Sequence, residues 1–236
     1  MSTLDATGPA RAPAPATCRM FETPLLEFFS RIHPATPFLF WIPVLAWILT
    51  GAARDGAVQP QSMWWLAMGG LVVLGALLWS LTEYLMHRFV FHAIGARPWQ
   101  RRMYFVAHGV HHDFPADRDR LVMPLGVSIP LGLAFYGIFR VLLGAQLVAP
   151  LFVGFGAGYL AYDGIHYAVH HFRLTSRAGR WLKRWHMVHH HTGEDARWGV
   201  TSPLWDWVFG TMGGNASSAA ASTSTSASAE HDRAAA

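Results

Sequence analysis

Cysteine, lysine and charge are all scarce in this chain. Cys18 is the one cysteine and Lys183 the one lysine among 236 residues, and only 14% of the residues are charged. A single cysteine excludes an intramolecular disulfide and any CxxC metal site. The charge content lies well below the roughly 25% of an average soluble domain. Hydrophobic residues make up 52%, with 11 Trp and 15 Phe, and that balance predicts an integral membrane protein. HExxH is missing, and with it the general base of the zinc proteases that carry it. GxSxG, the P-loop and a GxGxxG-plus-acid pattern are missing too, which argues against a serine hydrolase, a P-loop nucleotidase and a dinucleotide-binding fold. The N-terminus, MSTLDATGPARAPAPATCR, has no basic stretch followed by an apolar one, so no cleaved signal is expected.

The length suits one domain, and no internal repeat is evident. Residues 1–20, rich in Pro and Ala, and 215–236, rich in Ser, Ala and Thr, read as disordered tails with little to bury. The folded part is expected over 21–214. A net charge of +4 comes from scattered rather than striped cations, which suits a membrane surface and not a nucleic acid. The preference for Arg over Lys points to a GC-rich, bacterial genome and so to a bacterial inner membrane; in a eukaryote the same chain would belong to the endoplasmic reticulum.

Four stretches approach the ~20 apolar residues that a membrane span needs: Pro37 to Ala53, Met63 to Leu81, Leu121 to Phe139 and Leu147 to Ala161. They are expected to form two hairpins. The hairpin tips carry one Arg each, Arg54 and Arg140. The opposite side holds Arg88, Arg97, Arg101, Arg102, Arg118, Arg120, Arg173, Arg177, Arg180, Lys183, Arg184 and Arg197. By the positive-inside rule that side is cytoplasmic, with Trp99, Tyr104, Phe105 and Trp181 as an interfacial belt.

The same side holds twelve of the fourteen histidines, between His87 and His191. Histidine is the commonest metal ligand, and residues three or four apart share a helix face. HGVHH therefore aligns His108, His111 and His112. HYAVH aligns His166 and His170, and HMVHH aligns His186, His189 and His190. In HRFVFH, His87 and His92 stand five apart, about 140° on an ideal helix. One of the two must lie past the helix end, or both must reach toward a site between helices. His171 and His191 extend their motifs onto other faces and read as neighbours of the site or surface groups. His33 and His231, alone in sequence, read as ordinary. Ten imidazoles exceed what one metal uses, and two metals with five each leave an open position apiece. That count points to a di-iron centre that activates dioxygen, although imidazole suits Zn, Cu, Fe and Ni alike.

Ligand histidines usually donate their second N–H to an orienting group. Glu83, four before His87, and Asp163, three before His166, are the expected carboxylates. Asp113 and Asp206 read as exposed turn or cap residues. Outside enzymology, the clusters also suit a bis-histidine haem carrier or a metal transporter. A transporter would place ionisable residues within its spans, and the middles of these four are almost free of them.

The segments EYLMHRFVFH, HGVHHDFPADRDRLVMP, GYLAYDGIHYAVHH and LKRWHMVHH, then GVTSPLWDWVFGT, together resemble the fatty acid 2-hydroxylase branch of the membrane fatty acid hydroxylase and sterol desaturase superfamily. The likeness runs from Glu83 to Met212, and DRLVMP and GVTSPLWDWVFGT are its most specific parts. It implies an all-α integral membrane fold, with four transmembrane helices under a cytosolic, histidine-rich helical cap that holds a dimetal centre. It implies oxidation at C2 of a long fatty acyl chain, free or in a sphingolipid, using dioxygen and two electrons. A sterol or carotenoid hydroxylase or desaturase of the same superfamily is the alternative. By analogy with histidine-rich desaturases, one metal takes His87, His92, His108, His112 and His189, and the other takes His111, His166, His170, His186 and His190. Iron is expected, with zinc able to replace it in a purified sample. Many relatives carry a cytochrome b5 domain, for which the residues before Phe21 are too few. Electrons are therefore expected from a separate cytochrome b5-like protein or a ferredoxin. Trp205, Trp207 and the Tyr162–Tyr167 stretch are expected pocket walls.

Overall fold

The computed structural model describes residues 16–56, 61–192 and 195–213, and everything described is helix or connecting chain. The order is α1 (Pro24–Phe29), α2 (Thr36–Gly56), α3 (Gln61–Met86) running into a π-helical turn (His87–Phe91), α4 (Pro98–Tyr104) running through a second π turn (Phe105–Gly109) into α5 (Val110–Asp113), α6 (Leu125–Leu143), α7 (Ala145–His171), α8 (Arg177–Thr192) and α9 (Leu204–Val208). Helices α2, α3, α6 and α7 are long and apolar enough to cross a membrane. The protein is an all-helical integral membrane protein. Apart from α7, the spans turn many large apolar side chains outward, among them Leu39, Trp47, Leu66, Leu133 and Val141, as lipid-facing surfaces must.

The four spans follow one another as two hairpins, α2 with α3 and α6 with α7, and their packing is uneven. Helix α7 is the axis, mostly buried, and α2, α3 and α6 each lean on it, while α2 and α3 barely touch. Small residues set this arrangement. A Cβ on Gly154 would lie 1.9 Å from the Val72 carbonyl oxygen, and one on Gly75 would lie 2.0 Å from that of Leu151. A Cβ on Gly158 would meet that of Trp79 at 2.7 Å. Both helices run from this contact toward their histidines at one end of the bundle, so α3 and α7 are parallel, and they are nearly in backbone contact. Such close approach is how helices gain dispersion energy where lipid supplies no hydrophobic drive. The short return from α6 to α7 is Gly144, at φ 80°, a conformation that favours glycine.

Two expectations need correction. The third helix begins at Leu125, not Leu121: Pro124 sits at its N-cap with extended ψ, and proline disfavours helix in the residue before it. Leu121 and Val122 are buried in an irregular segment instead. Residues 16–20, assigned by composition to a disordered tail, are tied down. Arg120 donates to the Cys18 carbonyl and to Glu27, Arg102 donates to the Met20 carbonyl, and Asp117 accepts from Thr17. The rest of that expected tail, residues 1–15, and the Ser/Ala-rich tail lie outside the described residues.

A bulky residue at the α3–α7 contact has no room to relax, because the obstacle is backbone. We expect Gly154→Val to destabilise the fold by at least about 3 kcal/mol, read as a lower thermal midpoint in detergent. Gly69→Val, with nothing near its Cβ, should leave the midpoint within a degree or two.

Candidate dimetal centre

Parallel α3 and α7 deliver histidines to one end of the bundle, where α4–α5 and α8 complete the set. The ten converge in two groups, each with its ligand-capable atoms within 4.8 Å of one another. The first is His87, His92, His108, His112 and His189. The second is His111, His166, His170, His186 and His190. These are the two sets into which the desaturase analogy divides them. The groups adjoin, with the His112 and His190 rings stacked at 4.1 Å. Helix α5 and helix α8 each serve both groups.

The 140° problem of His87 and His92 is solved by the backbone. The His92 amide donates to the His87 carbonyl at 3.2 Å, an i to i+5 bond that adds a residue to the turn. A single π turn of this kind re-aims side chains, and here it brings the two rings to 5.0 Å. His92 does sit at the helix end, as one alternative held. The second π turn carries His108. No propensity rule reads a π turn from sequence; the signal was the five-residue spacing itself.

The ring nitrogens of the two groups are disposed to share a cation. His87 Nδ1 faces the Trp198 carbonyl and His189 Nδ1 faces the Ala196 carbonyl at 3.0 Å. A carbonyl only accepts, so both rings carry the proton on Nδ1 and present a bare Nε2 lone pair. Those lone pairs point at other imidazole nitrogens: His87 Nε2 lies 3.1 Å from His108 Nε2, and His189 Nε2 lies 3.2 Å from His92 Nε2. In the second group, His166–His111, His186–His170, His190–His186 and His111–His190 approach through Nε2 at 2.8–3.1 Å. Nε2 atoms brought together in this way can share a proton or a metal ion, and in each group five of them lie within 4.8 Å of one another. Protons are a poor choice. Burial and then the neighbouring imidazoles push His92 down to about 3 and His112 down to about 4, and hold His108, His111 and His186 well below the usual histidine range. The rings are therefore neutral at physiological pH, the form that binds metal.

The carboxylates sit differently from expectation. Glu83 does not touch His87. It accepts the Val200 and Thr201 amides at 2.6 and 2.8 Å and the Thr201 hydroxyl at 2.7 Å. Asp206, expected to be exposed, is fully buried. It accepts the Trp198 and Gly199 amides and the Thr211 hydroxyl, each at 2.8 Å. The two carboxylates thus grip segment 196–201 through its N–H groups, while its carbonyls face His87 and His189. Asp163 is fully buried, and the Tyr159 hydroxyl and the Met123 backbone are its polar neighbours. It lies on a cavity wall rather than against an imidazole. Asp113 is exposed, as expected. His171 packs on Tyr167 and His191 is exposed with Nδ1 at the Met187 carbonyl, so neither joins a group.

A cavity of about 790 Å³ opens on His108, His111 and His166, touching both groups. Its walls are mainly apolar and include Phe21, Leu26, Phe28 and Val122, with Arg120, Tyr162 and Asp163 among the polar exceptions. A narrower cleft between the spans, lined by Trp41, Trp79, Phe135 and Phe155, shares Phe91, Met123 and Tyr162 with it. Trp205 and Trp207 line neither. Trp205 donates to Ser80 at 2.9 Å and Trp207 is 72% exposed, because α9 packs against the flank of α3.

The grip on segment 196–201 gives a test. Glu83→Gln or Asp206→Asn should weaken metal retention about 10- to 100-fold, the usual effect of losing groups that orient ligands. Metal analysis after graded chelation measures this, and at most half of the bound metal should become labile, since the segment faces only the first group.

Residues 72–211 match the family model described as fatty acid hydroxylase. The dihydroceramide fatty acyl 2-hydroxylase FAH1 of Arabidopsis thaliana is 34% identical over 195 residues, 82% of this chain and 79% of that protein. The ceramide very long chain fatty acid hydroxylase SCS7 of Saccharomyces cerevisiae is 35% identical, over 78% of this chain and 48% of that protein. Human fatty acid 2-hydroxylase is 31% identical, over 85% and 58%. A solved structure of full-length scs7p, in which only the hydroxylase domain is visible, superposes with a TM-score of 0.72 at 33% identity, covering 80% of this chain and 70% of that one. The chain belongs to the fatty acid hydroxylase family.

Proposed function

We propose that the protein hydroxylates long-chain fatty acyl groups at C2, either free or carried in a ceramide-type sphingolipid. The observation that carries this reading is the apolar cavity that ends at both histidine groups: it offers an acyl chain a dry route from the bilayer to the centre. The names of the relatives, fatty acid and ceramide hydroxylases, support the same substrate class.

The ten grouped histidines are the proposed ligands, five to each metal. Iron is the proposed metal, and zinc, equally at home among imidazoles, can replace it in purified protein. Two iron ions bound there would supply the binding and reduction of dioxygen. In the overall balance one oxygen atom becomes the hydroxyl on C2 and the other leaves as water, with two electrons and two protons consumed. The electrons come from a carrier protein such as a cytochrome b5-like protein or a ferredoxin.

The chain's own part is placement. Apolar walls exclude water and hold the acyl tail. Asp163 and Tyr162, beside His166 in the wall, supply hydrogen-bonding groups for the carbonyl end, which sets C2 at the centre. Arg120 pins the segment from Cys18 to Glu27 that closes one side. The proposed orientation has the histidine side in the cytoplasm; the twelve cations there, against Arg54 and Arg140 on the other side, support it.

Mass spectrometry of lipids after expression tests the reaction: acyl lipids should gain one oxygen at C2. Unchanged acyl lipids with an oxidised polyisoprenoid would overturn it. His108→Ala and His189→Ala should each lose bound metal and at least 99% of turnover, whereas His171→Ala keeps most of both. Equal losses in all three would undo the ligand assignment. Asp163→Ala should keep its metal and lower kcat/KM or shift the site of oxidation; loss of metal instead would return Asp163 to a ligand-orienting role.

A further inference from the structure

Residues 164–193 contain no aspartate or glutamate, yet they carry Arg173, Arg177, Arg180, Lys183 and Arg184. Helix α8 divides these charges from the centre. Its inner face presents His186, His189 and His190, and its outer face presents Arg177, Arg180, Trp181 and Arg184, all exposed. Ion pairs among the described residues lie on Glu27 and Asp117, and none involves these cations. Arg180 and Lys183 donate only to backbone carbonyls, of Thr175 and Phe172. The face thus keeps its full positive charge.

A membrane surface is not what this face fits. A helix lying in the interface turns an apolar stripe outward, as α1 does with Leu25, Leu26, Phe28 and Phe29, each more than half exposed. The apolar and histidine side of α8 is turned inward, and its exposed side is arginine around one tryptophan. Arg and Trp are the residues that carry most binding energy in protein interfaces. Trp181 stacks on Trp185, whose Nε1 donates to the Gly199 carbonyl, so the surface aromatic is braced against the segment that faces His87 and His189.

We propose that the outer face of α8 is the docking surface for an acidic one-electron carrier protein. This rests on the hydroxylase reading, in which each turnover takes two electrons from outside the chain; two reduced carriers, docking in turn, become oxidised as one dioxygen is reduced. A carrier seated here stands about one helix diameter, ~10 Å, from His186 and His190. No residue of α8 lines the acyl cavity, so carrier and lipid use separate approaches and do not compete.

The test uses the metal-loaded protein in nanodiscs of zwitterionic lipid, with a soluble cytochrome b5 domain and a [2Fe–2S] ferredoxin as acidic probes and basic cytochrome c as the control. Both acidic probes should bind, more weakly as salt rises, and cytochrome c should not. The double variant Arg177→Glu/Arg184→Glu should weaken that binding about tenfold or more, Arg177→Gln/Arg184→Gln should lie between, and Arg140→Glu on the far side should have no effect. Turnover driven by the carrier should fall with a raised KM for carrier, while turnover driven by reduced methyl viologen stays at the wild-type rate. Unchanged carrier binding in the double variant, no binding of either acidic probe to the wild type, or equal loss with carrier and viologen would each overturn the proposal. So would a variant that loses affinity for anionic vesicles but not for carrier, which would make the face a membrane contact. Carrier binding that behaves as stated without any C2 product would sink the hydroxylase reading and leave the docking surface standing.

Discussion

The near backbone contact of α3 and α7 is the constraint on which the centre depends. Gly75 and Gly154 let the helices approach until carbonyl oxygens occupy the space a methyl group would need. The contact fixes the register of two parallel helices about three turns before their histidine ends. Glu83 and His87 on α3 and Asp163 and His166 on α7 therefore reach the bundle end at set heights. Shifting one helix by a residue would move its histidines by about 1.5 Å along the axis and 100° around it, more than any histidine rotamer can recover. The apolar packing around Trp41, Phe152 and Tyr159 fills the remaining space, but it tolerates volume-conserving change in a way that a backbone contact does not.

The second support comes from the far end of the sequence. Segment 196–211 contributes no imidazole to either group, yet its backbone meets the site twice, through the Ala196 and Trp198 carbonyls. Carbonyls orient well only if the peptide planes that bear them are fixed. Glu83 and Asp206 fix them from the N–H side, and Tyr84, bonded to Thr211 at 2.9 Å, ties the end of the segment back to α3. Two buried carboxylates would be costly alone; here each accepts three hydrogen bonds. Glu83→Gln is thus a loss of backbone order before it is a loss of charge.

Much of this was legible in the sequence, and what was not has physical reasons. Spans, their number and the ten grouped histidines follow from apolar length and from i, i+3, i+4 spacing, because both report helix geometry directly. Partners of the carboxylates did not follow. A carboxylate four residues before a histidine satisfies the same spacing rule as a hydrogen-bonded pair, yet Glu83 bonds to residues more than a hundred positions away. Spacing describes only one helix, and the contacts of Glu83, Asp206 and Trp205 are made between segments. The start of α6 was misplaced for a related reason: Leu121 to Met123 are apolar because they are buried at the cavity, not because they face lipid.

The two histidine groups are also built by different means, and this explains where the extra orientation is spent. His111, His166, His170, His186 and His190 stand on α-helical turns, where backbone geometry already aims side chains four apart at one point. Their outward nitrogens on His166, His186 and His190 are buried without a protein hydrogen bond, yet the rings converge. In the other group His112 and His189 also stand on α turns, but His87 and His108 stand on π turns and His92 at the end of one. A single π turn is rare and re-aims the side chains around it. This is the group that receives the Trp198 and Ala196 carbonyls, and through them the grip of Glu83 and Asp206. The sequence most specific to this family's likeness, GVTSPLWDWVFGT, therefore supplies the Asp206 grip behind the group that contains both π turns.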